Sequence, residues 1–155
     1  MQAREPHTSS YYAASAHSGP ERPALSETVE ADVAIVGGGF TGVCSALSLA
    51  ERGHSVVLLE ANRIGWGASG RNGGQVLGGW SGESELAKQA GPKAEEFLWK
   101  TRYLGNEIVE ARIQKYDIKC DYVHGAATVA FNAKQMKGLE EEYADSVEHG
   151  FGDYM

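Results

Sequence analysis

Asp32-Val33-Ala34-Ile35-Val36-Gly37-Gly38-Gly39-Phe40-Thr41-Gly42 is the stretch on which the fold turns. Its first five residues form a short apolar run rich in β-branched side chains. A strand inside a parallel sheet is covered on both faces, so it reads as continuously apolar rather than alternating. The run leads straight into four glycines within six residues. Behind them lies Val43-Cys44-Ser45-Ala46-Leu47-Ser48-Leu49-Ala50-Glu51-Arg52, in which Val43, Ala46, Leu47 and Ala50 recur at helical spacing. Gly53 is placed to stop that helix. Ser55-Val56-Val57-Leu58-Leu59 predicts a second strand, and it ends on an acid, Glu60. Strand, tight turn, helix and strand make one β-α-β unit, which predicts an α/β fold.

The spacing inside the turn carries chemistry. Gly37, Gly39 and Gly42 satisfy G-x-G-x-x-G, with Gly38, Phe40 and Thr41 between them. The first glycine permits the tight exit from the strand. The second lets the backbone approach a pyrophosphate, and the third lets the helix pack against the sheet. The helix N-terminus then offers unpaired N–H groups and the positive end of its dipole to the phosphates. Glu60 stands at the tip of the second strand, about 20 residues on, where a carboxylate accepts from ribose hydroxyls. An acid there also repels a 2′-phosphate, which disfavours NADP. The rival reading is a glycine-rich turn in an unrelated α/β protein. The agreement of strand, turn, helix, second strand and terminal acid favours binding of a dinucleotide.

The next stretch, Ala61 to Glu83, contains Arg63-Ile64-Gly65-Trp66-Gly67-Ala68-Ser69-Gly70-Arg71-Asn72-Gly73-Gly74-Gln75. It is too rich in glycine for a helix or an ordinary strand. Backbone of this kind approaches a flat or anionic ligand closely. Ser69, Arg71, Asn72 and Gln75 can donate to phosphate or ring heteroatoms. A flexible linker would be a Gly/Ser repeat, whereas this run mixes Trp, Arg, Asn and Gln.

Composition sets bounds around these motifs. The 155 residues suffice for one domain with a core. A net charge of −7 argues against non-specific nucleic-acid binding, which needs a basic patch. Cys44 and Cys120 lie far apart, outside any CxxC pair, and no His/Cys cluster has zinc-ligand spacing. They read as two reduced, buried thiols. There is no signal-peptide h-region and no apolar run near the roughly 20 residues that span a bilayer. A cytoplasmic protein is the expectation.

Downstream, Phe97, Leu98, Leu104, Ile108, Val109, Ile113 and Tyr116 mark a helical stripe between Glu95 and Tyr116. Tyr122-Val123 and Ala126 to Phe131 predict a strand between Asp121 and Phe131. Ala133 to His149 predicts an acidic helix with Met136, Leu139, Tyr143 and Val147 on one face. His124, just before the strand, reads as a loop or surface histidine rather than a catalytic one, and no residue is nominated as catalytic acid or base. Upstream, residues 1–27 read as a flexible arm, in which Tyr11 and Tyr12 offer two aromatics that could dock on a surface.

Val-Gly-Gly-Gly-Phe-Thr-Gly (36–42), Leu-Leu-Glu-Ala (58–61) and Gly-Ala-Ser-Gly-Arg-Asn-Gly-Gly-Gln (67–75) together resemble the N-terminal region of FAD-dependent amine and amino-acid oxidases of the D-amino-acid oxidase superfamily. Ser9 to Ala16, Cys120-Asp121-Tyr122 and the Gly125 to Asn132 run are similar to the bacterial gamma-glutamylputrescine oxidases within it. The resemblance implies a Rossmann-like FAD-binding β-α-β unit followed by the start of an antiparallel substrate-domain sheet. It divides the chain into an arm (1–27), the N-terminal part of the FAD-binding domain (28–118) and a truncated start of a substrate-binding domain (119–155).

By the same resemblance Gly37 to Gly42 hold the pyrophosphate and Glu60 the adenosine ribose. Ala61 and Arg63 flank the adenosine end, and Gly67, Ala68, Ser69, Arg71, Asn72, Gly73, Gly74 and Gln75 run toward the isoalloxazine ring. Some relatives attach flavin through His or Cys. Gly67 to Val76 contains neither, so the implied FAD is non-covalent. The implied reaction is oxidation of the CH–NH group of a small amine, with oxygen as acceptor. Members run to several hundred residues, so the chain is expected to be an N-terminal fragment. Two other readings stand beside this one. An NAD-dependent dehydrogenase shares the β-α-β unit but does not require the 67–75 loop, and a non-catalytic nucleotide-binding fragment suits the short length.

Overall fold

The computed structural model of the chain describes residues 7, 9–17, 19, 20 and 22–154. The remaining positions of the arm, residues 1–6, 8, 18 and 21, lie outside the described residues, as does residue 155. The chain separates into two compact units, residues 1–75 and 76–155.

In the first unit, helix α1 spans Tyr11–Ser15. Ser10 caps it by accepting from the Ala13 amide at 3.2 Å. Strand β1 covers Val33–Val36, helix α2 Phe40–Glu51 and strand β2 Val56–Leu59. The strands pair in parallel, Val33 beside Val56 through Val36 beside Leu59. This is the β-α-β unit expected from the sequence, with each strand one residue shorter at its start. A reciprocal clamp fixes that end. The Asp32 amide donates to Ser55 Oγ at 2.9 Å, and Asp32 Oδ2 accepts from the Ser55 amide at 2.8 Å and from its hydroxyl at 2.9 Å.

Helix α2 ends in a Schellman motif. The Gly53 amide donates to the Ala50 carbonyl at 3.0 Å and the His54 amide to the Leu49 carbonyl at 3.1 Å. Gly53 sits at φ +87°, a conformation that costs other residues strain. The half-buried run of α2 is Ala46–Leu49, whereas Val43 and Ala50 are exposed. The two cysteines are unpaired, but both are exposed rather than buried. Cys44 falls outside the half-buried run, and Cys120 lies in the irregular segment after Tyr116.

The second unit is helical: α3 (Glu83–Ala90), α4 (Pro92–Lys100), α5 (Leu104–Tyr116) and α6 (Ala133–Glu148). The stripe expected to run unbroken from Glu95 to Tyr116 is interrupted at 101–103. There the Arg102 carbonyl accepts from the Gly79 amide at 2.8 Å and leaves the helical ladder. The Thr101 hydroxyl donates to the Phe97 carbonyl at 2.8 Å and accepts from the Trp80 indole at 3.2 Å. Helix α6 forms as expected, capped by Asn132, whose side chain accepts from the Gln135 amide at 3.0 Å.

An aromatic cluster makes the centre of this unit. Trp99 stacks on His149 with ring centroids 4.0 Å apart, and Tyr103 on Tyr154 at 4.3 Å. Leu98, Tyr103 and Ser146 are buried. Arg102 lies over Trp99 at 4.7 Å and pairs with Glu83 at 2.7 Å.

The strand expected between Asp121 and Phe131 does not form, and the described residues contain no antiparallel sheet. Asp121 (φ +51°) and Gly125 (φ +108°) bend the backbone out of extended geometry. No neighbouring strand supplies a ladder, so Val123 is left 82 % exposed and Phe131 87 % exposed. Among the described residues, no helix is long and apolar enough to cross a membrane.

Candidate cofactor-binding site

The β1–α2 turn is built so that backbone, not side chains, faces outward. Gly37 leaves β1 at φ +105° and its amide still donates to the Leu59 carbonyl at 2.8 Å, which ties the turn to β2. Gly38 is buried. Gly39 is the N-cap of α2 and carries no side chain to fill the space before the helix. At Gly42, a Cβ would overlap the Gly37 carbonyl oxygen. Only glycine lets α2 start this close to β1.

Among the described residues the amides of Gly39, Thr41 and Gly42 meet no acceptor. Unpartnered donors at a helix N-terminus, beside a position where a Cβ is forbidden, fit a diphosphate. The structure thus brings Gly37, Gly38, Gly39, Phe40, Thr41 and Gly42 together as one cradle.

Glu60 sits at the tip of β2, against this cradle. Its Oε2 accepts from the Gly38 amide at 2.6 Å and its Oε1 from the Asn62 amide at 3.0 Å. The Asn62 bond, then the Gly38 bond, hold the carboxyl below the usual carboxylate range. Two amides use part of a carboxylate's four acceptor positions and leave others for hydroxyl donors. The turn that follows is fastened by the Gly65 amide, which donates to the Gly38 carbonyl at 2.9 Å, and by the Trp66 amide, which donates to the Arg63 carbonyl at 3.0 Å. Ala61 and Arg63 are exposed on that turn.

The glycine-rich loop is ordered by its own polar residues. Ala68–Gly70 form a 3-10 turn. Ser69 Oγ accepts from the Phe40 amide at 2.9 Å and so caps the first residue of α2 from across the site. Arg71 Nε donates to the Trp66 carbonyl at 2.8 Å, with its guanidinium 4.3 Å over the Trp66 ring. Asn72 Nδ2 donates to the Ser69 carbonyl at 2.8 Å, and its Oδ1 accepts from the Gly74 amide at 2.8 Å. Gln75 folds back over Gly73, where it occupies the space a Cβ would take. Gly67 is exposed beside the 3-10 turn.

Three contributors were not assigned to the site by sequence reasoning. Ile64 covers Gly38, where a Cβ would collide with its Cδ1. Trp66 holds Arg71. Tyr12 donates from its hydroxyl to the Gly73 carbonyl at 2.9 Å, the docking alternative that the paired tyrosines left open. A tryptophan between Gly65 and Gly67 was the one sequence signal for the second.

His124 is exposed, with Nε2 3.5 Å from Glu110 Oε1, as suits a surface histidine. In the second unit an open cavity of about 400 Å³ is lined by Glu95, Glu96, Trp99, Lys100 and His149, among others. It contains none of the motif residues. The cradle is a shallow backbone surface, and its donors rather than its concavity identify it.

The model of a family described as FAD dependent oxidoreductase matches residues 32–155. The chain is 49 % identical over 137 residues to gamma-glutamylputrescine oxidoreductase of Escherichia coli, covering 88 % of this chain and 32 % of that protein. It is 41 % identical over 145 residues to the probable oxidoreductase OrdL of Haemophilus influenzae, covering 93 % of this chain and 34 % of that one. The chain thus spans about a third of the length of these relatives. No solved structure matches it.

Proposed function

Since the chain belongs to the FAD-dependent oxidoreductase family, we propose that residues 37–75 hold FAD without a covalent link, as the N-terminal part of an oxidase of small amines. The observation that carries this reading is the cradle itself: three amides without acceptors at the start of α2, with Glu60 beside them. When bound, FAD supplies a two-electron acceptor for the carbon beside an amine.

The chain's own residues bind and orient. The amides of Gly39, Thr41 and Gly42 donate to the diphosphate, reinforced by the α2 dipole. Glu60 accepts from the adenosine ribose, and its charge excludes a ribose phosphate. Ala61 and Arg63 border the adenosine end. Ser69, Arg71, Asn72 and Gln75 keep the 67–75 backbone in place, so that the amides of Gly67, Ala68 and Gly73 can face the ring while the Gly74 amide stays on Asn72. No His or Cys occurs between Gly67 and Val76 to form a covalent bond.

The similarity to gamma-glutamylputrescine oxidoreductase supports a gamma-glutamylputrescine-like amine as substrate, with oxygen as acceptor. Residues 119–155 would then begin the substrate-binding domain. Unpaired cysteines suit a cytoplasmic setting.

An absorbance spectrum after desalting tests the cofactor. Oxidised-flavin bands that persist support it, and a colourless chain that takes up no added FAD refutes it. Peroxide release on adding gamma-glutamylputrescine to the intact protein tests the substrate.

A further inference from the structure

We infer that the N-terminal segment Ser9–Ala16 belongs to the cofactor site, and that Tyr12 is a positioning residue which holds the 67–75 loop against the start of α2. The inference rests on the reading that this loop borders FAD.

The two tyrosines of α1 differ in what they do. Tyr11 is 76 % exposed, whereas Tyr12 is 40 % exposed and reaches Gly73. The Tyr12 phenol donates to the Gly73 carbonyl at 2.9 Å, across 61 residues of sequence. Its hydroxyl also occupies the space a Cβ on Gly74 would need, and Gly74 sits at φ +75°. Glycine at 74 is therefore required twice, by the backbone and by the tyrosine.

From that contact a continuous series of hydrogen bonds runs to the cradle. The Gly74 amide donates to Asn72 Oδ1 at 2.8 Å, and Asn72 Nδ2 donates to the Ser69 carbonyl at 2.8 Å. Ser69 Oγ accepts from the Phe40 amide, the first of α2, at 2.9 Å. Each bond fixes the group that makes the next one. The arm thus acts on the diphosphate end through the loop, without touching the ligand. Helix α1 is fit to carry the tyrosine because it is closed locally: Ser10 caps it, and the Ser15 hydroxyl donates to the Tyr11 carbonyl at 2.9 Å.

The test is the rate of FAD release from the full chain, read as recovery of free-flavin fluorescence after dilution. Tyr12→Phe removes the hydroxyl and keeps the ring. It is expected to speed release about five-fold, the factor one neutral hydrogen bond is worth, while Tyr11→Phe keeps the wild-type rate. Thermal melting of the cofactor-free proteins separates positioning from mere stability, because there Tyr12→Phe should lose no more than the one exposed hydrogen bond to Gly73. Chymotryptic cleavage beside residue 12 gives an independent readout, with FAD expected to slow it in wild type and not in Tyr12→Phe. Equal release rates from Tyr12→Phe and wild type overturn the inference, as does a cofactor-free melting loss that accounts for the whole effect. A wild-type chain that binds no FAD overturns the flavin reading and takes this inference with it.

Discussion

Gly42 is the residue on which the cradle depends. Its missing Cβ is a matter of hard contact with the Gly37 carbonyl, not of preference. Gly42→Ala is expected to force α2 away from β1 and abolish FAD uptake, seen as loss of visible absorbance at unchanged protein concentration. An alanine variant that retains flavin would sink the diphosphate assignment. This position was legible in the sequence because the chemistry is local: a strand, a tight exit and a close approach all fall within six residues. Tyr12 was not legible as a partner of Gly73, because that contact joins positions 61 residues apart and leaves no periodic trace. Trp66 was hidden likewise, since only the fold lays Arg71 over its ring.

At the scale of elements, the β-α-β unit is held by two carboxylates as well as by its ladder. Bonds from the Ser55 amide, and then its hydroxyl, hold Asp32 below the usual carboxylate range. Bonds from the Asn62 and Gly38 amides do the same for Glu60. A carboxyl depressed in the folded state stabilises it above its unfolded value of about 4. That contribution disappears as pH falls through the lower folded value. The first unit is therefore expected to lose stability on acidification below about pH 4, followed by circular dichroism against urea. Asp32→Asn should weaken the unit at neutral pH and flatten that acid limb; an unchanged limb would remove Asp32 from the account. Strand and helix positions here were readable from apolar runs and glycine stops. The break between α4 and α5 was not. It arises where Arg102 gives its carbonyl to Gly79 and its guanidinium to Glu83, partners a helical stripe does not reveal.

Over the whole molecule, stability in residues 76–155 rests on few buried groups. The Arg102 side chain is 13 % exposed and Glu83 24 % exposed, so their pair is only partly desolvated. Arg102→Met is expected to cost about 2 kcal/mol, less than the 3–5 kcal/mol of breaking a fully buried pair, as measured by urea unfolding. Phe131 makes the opposite case. At 87 % exposure it has little packing to lose. Phe131→Ser should change stability by no more than about 0.5 kcal/mol in the same measurement. A larger loss would mean that this segment packs in solution. The expected antiparallel strand failed on the same ground. Its β-branched and aromatic residues were present, but a strand needs a neighbour, and composition names none.

The Asp32–Ser55 clamp bears on uniqueness more than on strength. Val33-Ala34-Ile35-Val36 and Val56-Val57-Leu58-Leu59 are short and almost uniformly greasy. Sliding one past the other by two residues keeps the same side chains on the same faces, so burial alone discriminates weakly between alignments. The clamp at one end and the Gly37 amide on Leu59 at the other admit a single alignment. Without them the two strands would share several near-equal arrangements, and the distance from the glycine turn to Glu60 would blur with them. A carboxylate and a hydroxyl at the far end of the strands from the glycine turn thereby act as the vernier that sets where Glu60, the proposed ribose contact, lies.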